Sequence, residues 1–360
     1  MSRAVYLGAS GLLCARGATP DAVAAALWEG DCAASHRQIG ARHFPYYALP
    51  LATEDWLQRA EQAIRQVGAQ IGSLPAQTPL FIASSSFQIG HFEQQPADQE
   101  LPAATASFSR QIDEWMGLTG PRYSYNNACI SGFSALDAAR SLIAAGIFEE
   151  ALVIGVELSN ASTLAGFAAM ELLSPTQCRP LDAQRDGLVL GEAVAAVHLT
   201  AAPQNWRIAG LRCGLDAYST TGPDPQGGPI AQLAVDCLHE AKMAPADIQL
   251  IKLQAAGSPG TDLAEARALR QVFGEAMPAL ISLKPALGHT LGASGIAELT
   301  ALLACLDAGQ LPATANFTES DPEIGLSFPV DRSNCRIERA LLNLIGFGGG
   351  LASLVIERTA

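Results

Sequence analysis

Tyr123–Gly132 reads YSYNNACISG, and an amphipathic helical pattern follows it at once. Ile130, Phe133, Leu136 and Ile143 recur at helical spacing and give that helix one apolar face. The stretch before it reads as extended, so the chain passes from extended backbone to helix at Cys129. A thiol in the first turn of a helix sits at the positive end of the helix dipole, which favours thiolate and lowers the pKa. Ala128, Ser131 and Gly132 are small and leave room for a substrate beside the sulfur. A buried structural cysteine is the ordinary alternative, and local context leaves both readings open.

The same alternation of short apolar runs and helical patterns extends in both directions. Ala4–Leu7, Leu80–Ala83, Ala151–Val156 and Val189–Leu199 read as strands; Pro20–Glu29, Asp55–Val67, Ser107–Gly117 and Ile130–Gly146 read as helices. A second series follows. Trp206–Leu211 and Ile248–Leu253 read as strands, Pro229–Lys242, Asp262–Phe273 and Gly288–Ala308 as helices, and Asn343–Glu357 as a Gly-rich turn and strand. The seam at Ala201–Asn205 divides two comparable α/β halves, 1–200 and 206–360, and a site between them is expected. Gly90–Ala106 is polar and reads as a surface loop or lid.

Composition sets outer limits. The chain has 360 residues, 49% hydrophobic and 16% charged, which excludes disorder and coiled coil in favour of a core-rich globular protein. With 22 Lys and Arg against 35 Asp and Glu, the net charge of −13 argues against nucleic acid and anionic membrane as partners. No apolar run reaches the ~18–20 residues that span a bilayer, and the N-terminus reads as a first strand. The eight cysteines are scattered without a C-x-x-C pair, so neither a metal site nor a disulfide framework is suggested. A cytoplasmic protein with free thiols is the expectation.

Two further constellations accompany Cys129. Lys284–Gly295, KPALGHTLGASG, sets Lys284 and His289 five residues apart on a small-residue turn that opens a helix running through Glu298. Ile345–Gly350, IGFGGG, precedes the last strand; consecutive glycines there let backbone N–H groups face a ligand, as an oxyanion hole requires. Alone, each has a plain reading, a capping histidine and a tight turn.

Taken together and in this order, the three resemble the β-ketoacyl-acyl-carrier-protein synthases of the thiolase superfamily. Leu164–Ser174, Cys178–Ala193, Asp216–Gly227 and Leu311–Phe317 add matches in register, so the resemblance covers nearly the whole chain. It implies a thiolase-like five-layered αβαβα fold of two duplicated halves. It implies that Cys129 carries the acyl chain as a thioester and that the N–H groups of Cys129 and Phe347 form the oxyanion hole, with the Phe347 ring as gate. His289 would bind the malonyl thioester carbonyl, Lys284 would support it electrostatically, and Glu298 would stand behind them. No cofactor is implied. The partners implied are an acyl carrier protein and a second subunit, identical or homologous.

The sequence departs from the family at one decisive place. The family's second catalytic histidine falls in Leu253–Glu265, LQAAGSPGTDLAE, where Ala256 occupies its position. Of the other histidines, only His91, in the polar segment, is a candidate to be carried to the site. Gly350–Leu351 replaces a usual Thr-Asn, and Asn127 stands where Thr or Ser is frequent. Loss of one preorganised donor costs on the order of 10²–10³ in rate. The favoured expectation is therefore a chain-length-factor-like subunit of a ketosynthase heterodimer, similar to the ketosynthase-like subunits of bacterial aryl-polyene pathways; the alternative is an active condensing enzyme with an atypical triad. Arg65, Lys242, Arg267 and Arg270 are candidates for a local basic patch facing an acidic carrier. A thiolase is disfavoured because no cysteine follows Cys335.

Overall fold

A computed structural model describes residues 3–30, 33–96, 104–329 and 332–359. Ten strands form one mixed sheet: β1 Tyr6–Cys14, β2 Leu80–Ala83, β3 Arg122–Tyr125, β4 Glu150–Glu157, β5 Ala193–Thr200, β6 Trp206–Leu215, β7 Leu250–Lys252, β8 Ala279–Ile281, β9 Arg339–Ile345 and β10 Gly350–Arg358. Their spatial order is β8-β7-β9-β10-β6-β1-β5-β4-β2-β3.

That order contains the duplication. In the first half β1 pairs antiparallel with β5, β5 antiparallel with β4, and β4 and β2 continue in parallel to β3. In the second half β6, β10, β9, β7 and β8 repeat the same sequence of pairings. The halves meet through a short antiparallel contact of β1 with β6, Tyr6 opposite Arg207 and Leu7 opposite Trp206. The seam expected at Ala201–Asn205 falls between β5 and β6.

Among the described residues, eight helices of nine residues or more layer these strands: α1 Pro20–Glu29, α2 Trp56–Ile71, α3 Ala104–Met116, α4 Ser131–Ala144, α5 Ala161–Ala169, α6 Gly228–Ala241, α7 Pro259–Phe273 and α8 Ser294–Asp307. The Thr19 hydroxyl caps α1 by accepting from Ala22 N, and the Asp55 carboxylate caps α2 by accepting from Gln58 N. On α2, Trp56, Ala60, Ala63, Ile64, Val67 and Ile71 are buried at three- and four-residue spacing, so one stripe faces the core outside the first half. Helix α8 is mostly apolar, and twelve of its residues are buried, Glu298 among them. Such a helix belongs in the centre of a protein. It packs against α4, α1 and strands β1, β4 and β5, while α4 touches strands of both halves. Helices α6 and α7 cover the outside of the second half. The layers are therefore helix, sheet, helix, sheet, helix.

Several sequence expectations are refined. The run Val189–Leu199 divides into Leu190–Gly191 and β5. The segment Gly90–Ala106 is not one loop: Ile89–Glu93 is a helical turn, α3 begins at Ala104, and residues 97–103 lie outside the described residues, as does Cys32. The hairpin Ser35–Ile39 with Arg42–Tyr47, and strand β8, escape sequence reading because their runs are short and polar or bounded irregularly, whereas β3 overlaps the stretch read as extended before Cys129. Among the described residues, no helix is long and apolar enough to cross a membrane.

Candidate active site

The backbone turns sharply before α4. Ala128 takes a left-handed φ of 45°, and the Ser131 hydroxyl both donates to Ala128 O and accepts from Asn127 N, 2.7 and 2.8 Å. This clamp presents Cys129 between the two halves at the N-terminus of α4. His289 Nε2 lies 3.1 Å from Cys129 Sγ, and Ser294 Oγ holds the other ring nitrogen at 3.0 Å. The histidine reaches this point because its own segment is stitched to the first half: His289 N donates to Val189 O, and Gly191 N donates to His289 O.

The Gly-rich turn arrives from the opposite side. The N–H groups of Phe347 and of Cys129 itself are among the groups that favour a thiolate at Cys129. Gly346 runs so close that a Cβ there would lie 3.3 Å from Cys129 Cβ. Gly349, at φ 77°, packs where a Cβ would fall 1.9 Å from Asp216 O, so no other residue fits. Asp216 N donates to Gly349 O, and Gly348 N donates to Thr220 O. The stretch Asp216–Gly227 thus braces the turn in which Gly350–Leu351 replaces the usual Thr-Asn. The Phe347 ring stacks on Phe167 of α5, centroids 5.5 Å apart.

Behind His289 lies a charged trio. Glu298 of α8 takes Lys284 Nζ on one oxygen and Lys252 Nζ on the other, each at 2.5 Å, with all three side chains buried. Burial alone would raise the Glu298 carboxyl; the two lysines overcome it and hold the group below its usual range. Sequence reading placed Lys284 and Glu298 here but missed Lys252. Lys252 reads as an interruption in an apolar strand, and that interruption was the only signal.

The electrostatics correct the expectation for Cys129. Burial pushes its thiol up to about 11, against the opposing pull of the Phe347 N–H and Lys284. Burial, then Lys284, pulls His289 down to about 3. Desolvation of a thiolate outweighs the helix-end field in a site this closed, so thiol and imidazole rest as a neutral pair.

Ala256 is buried against the same space. Its loop is pinned from below by α7: Asp262 accepts from the N–H groups of Leu181, Ala256 and Gly257, and Glu265 from those of Gln254 and Ala255. The cavity among Cys129, His289, Phe347, Phe167 and Ala256 holds about 40 Å³. That is far below the several hundred Å³ of a typical ligand pocket, and Phe167, Leu172, Leu188 and Ile345 complete a mostly apolar wall. An acyl chain enters only if this wall moves. Three roomier hollows, about 500, 520 and 780 Å³, lie elsewhere among the described residues; His239 lines the second, and none of the three is lined by a cysteine.

His91 stands on the Ile89–Glu93 turn and is not in this cavity's wall. The four basic candidates do not form one patch. Arg65, paired with Glu61, is on the outer helix of the first half, whereas Lys242 caps the end of α6 and Arg267 and Arg270 are on α7, outside the second. Among the described residues, no group of His, Cys, Asp and Glu is disposed to hold a metal.

Comparison with known proteins points the same way. The family model described as Beta-ketoacyl synthase, N-terminal domain, matches residues 53–205, and that of the C-terminal domain matches residues 207–318. The 3-oxoacyl-[acyl-carrier-protein] synthase 2 of Mycobacterium bovis is 33% identical over 249 residues, 64% of this chain and 60% of that protein. The chain therefore spans about three fifths of that relative's length. The Coxiella burnetii protein of the same name is 28% identical over 338 residues, 88% of this chain and 82% of its own. A structure of a ketosynthase in complex with its chain length factor, from Xenorhabdus doucetiae, has a TM-score of 0.85 at 24% identity, covering 99% of this chain and 98% of the other. A β-ketoacyl synthase from Burkholderia phymatum STM815 gives 0.84 at 24% identity over the whole of both chains. These likenesses establish the thiolase-like ketosynthase fold.

Proposed function

Because this chain belongs to the β-ketoacyl synthase family, we propose that it serves as a chain-length-factor-like subunit beside a homologous ketosynthase, keeping the acyl-accepting half of the site and lacking part of the decarboxylating half. One observation carries this reading: an intact Cys129–His289 contact shares its cavity with the methyl group of Ala256.

Acyl transfer needs little more than what surrounds Cys129. The sulfur attacks the thioester carbonyl of an acyl carrier, and the N–H groups of Cys129 and Phe347 receive the developing oxyanion. Collapse forms the new Cys129 thioester and expels the carrier sulfur. The thiol proton passes to that sulfur, so one thioester is exchanged for another without net proton change. Decarboxylation of a malonyl thioester is more demanding. Loss of CO₂ leaves an enolate whose oxygen must be held by preformed donors. His289 supplies one; a methyl at 256 supplies none.

The other reading, an active condensing enzyme, is favoured by the same Cys129–His289 contact and its buried ion pairs. The two part in one experiment. The purified chain is treated with acyl carrier and weighed intact, with Cys129→Ala as control, and malonyl-carrier decarboxylation is measured alone and with the co-expressed ketosynthase. We expect a Cys129-dependent mass gain and decarboxylation about 10²-fold or more below that of the pair. Ala256→His should recover part of that loss. Turnover by the chain alone equal to that of the pair selects the condensing enzyme; no mass gain removes the acyl-accepting role.

A further inference from the structure

Lys252 lies in β7, four residues before Ala256. Ile251, Leu253 and Ala255 pack into the outer core of the second half. The alternate positions, Lys252, Gln254 and Ala256, therefore turn inward. There Lys252 and Lys284 share the two oxygens of Glu298. Two ammonium groups thus face one carboxylate in the dry centre of the molecule. A buried charge left over is costly, and an apolar side chain would fill the core better.

The charges that act on His289 are those of Lys284, Glu298 and Lys252. From α7, the Asp262 and Glu265 carboxylates accept from backbone N–H groups of residues 181 and 254–257; burial raises both, and Glu265 acts through space on Lys252. From β4, Glu157 takes the Ser85 and Ser86 hydroxyls and Gly292 N. Cys178 donates to Ala256 O. Among the described residues, the ring of His289 bonds only Cys129 and Ser294. An imidazolium here would be a third cation beside the carboxylate of Glu298.

We propose that Lys252 is a positioning residue of this site: by sharing Glu298 with Lys284 it leaves positive charge behind His289, which keeps the imidazole neutral and favours negative charge developing on a thioester oxygen in front of it. The charge stands in part for the donor that position 256 lacks. The catalytic consequence rests on the acyl-transfer reading above; the electrostatic core of the proposal does not.

The test needs no carrier. Histidine-selective NMR of the full chain follows the His289 midpoint in the wild type, Lys252→Met and Lys252→Gln. We expect an upward shift of about one pH unit or more in both variants, as removal of a nearby like charge requires. A filler of the core would leave it unmoved, and an unmoved midpoint in a variant that melts at the wild-type temperature overturns the proposal. The wild type supplies a second reading even if neither variant folds. The lysine Cε resonance of residue 252 should report an ammonium at pH 7, and a neutral amine there overturns the proposal. Failure of Cys129 to accept an acyl group would leave both readings untouched, so the two ideas fail separately.

Discussion

At the residue scale, the pair Cys129 and His289 is governed by burial. Motif reading gives the two side chains, and the helix end suggests a lowered thiol. Only the packed site shows how little solvent reaches the sulfur, so the shift runs the other way, to about 11. Capture of Cys129 by iodoacetamide should therefore quicken with pH across neutrality, with no plateau below about pH 9. A plateau already at pH 6 would mean a thiolate–imidazolium pair and contradict this picture. Stability should follow the same groups. The folded pKa of His289, about 3, lies below the ordinary 6.5, so the unfolded chain binds more protons between those values. This contribution is full above about pH 6.5 and is lost as pH falls toward 3.

At the element scale, α4 and α8 approach closely at Gly132 and Gly295. A Cβ on Gly295 would meet Phe133 Cδ1 at 2.8 Å, and one on Gly132 would meet Ile296 N at 3.1 Å. This close approach lets α8 bring Glu298 and Ser294 beneath Cys129. Gly295→Val should destabilise the chain by about 1–3 kcal/mol, read as a lower urea midpoint with unchanged slope. A midpoint equal to the wild type would show that the helices do not depend on that contact. Sequence reading found these helices because their apolar spacing is strong. It missed β8 because three residues carry too little pattern. Lys252 escaped for a related reason, since its partner Glu298 is 46 residues away and no local pattern joins them.

At the scale of the whole molecule, β3 ends the sheet with an unpaired edge. Tyr123 on it is 36% exposed and stacks on Phe81. Free edges of this kind invite pairing, and the proposed ketosynthase partner would use it. Co-expression should give a one-to-one complex by light scattering, and Tyr123→Asp should weaken it about tenfold or more. A complex of undiminished affinity would place the contact elsewhere.

Local sequence by itself determined the α/β alternation, the helix-end cysteine, the glycine turn and the absence of an imidazole at 256, because each depends on residue type and spacing over a few positions. The tertiary structure decided the rest. The order of strands that reveals two equal halves, the second lysine on Glu298, the neutral resting pair and the closed cavity all arise from groups far apart in the chain meeting in a medium without water, where desolvation and through-space charge outweigh any local preference.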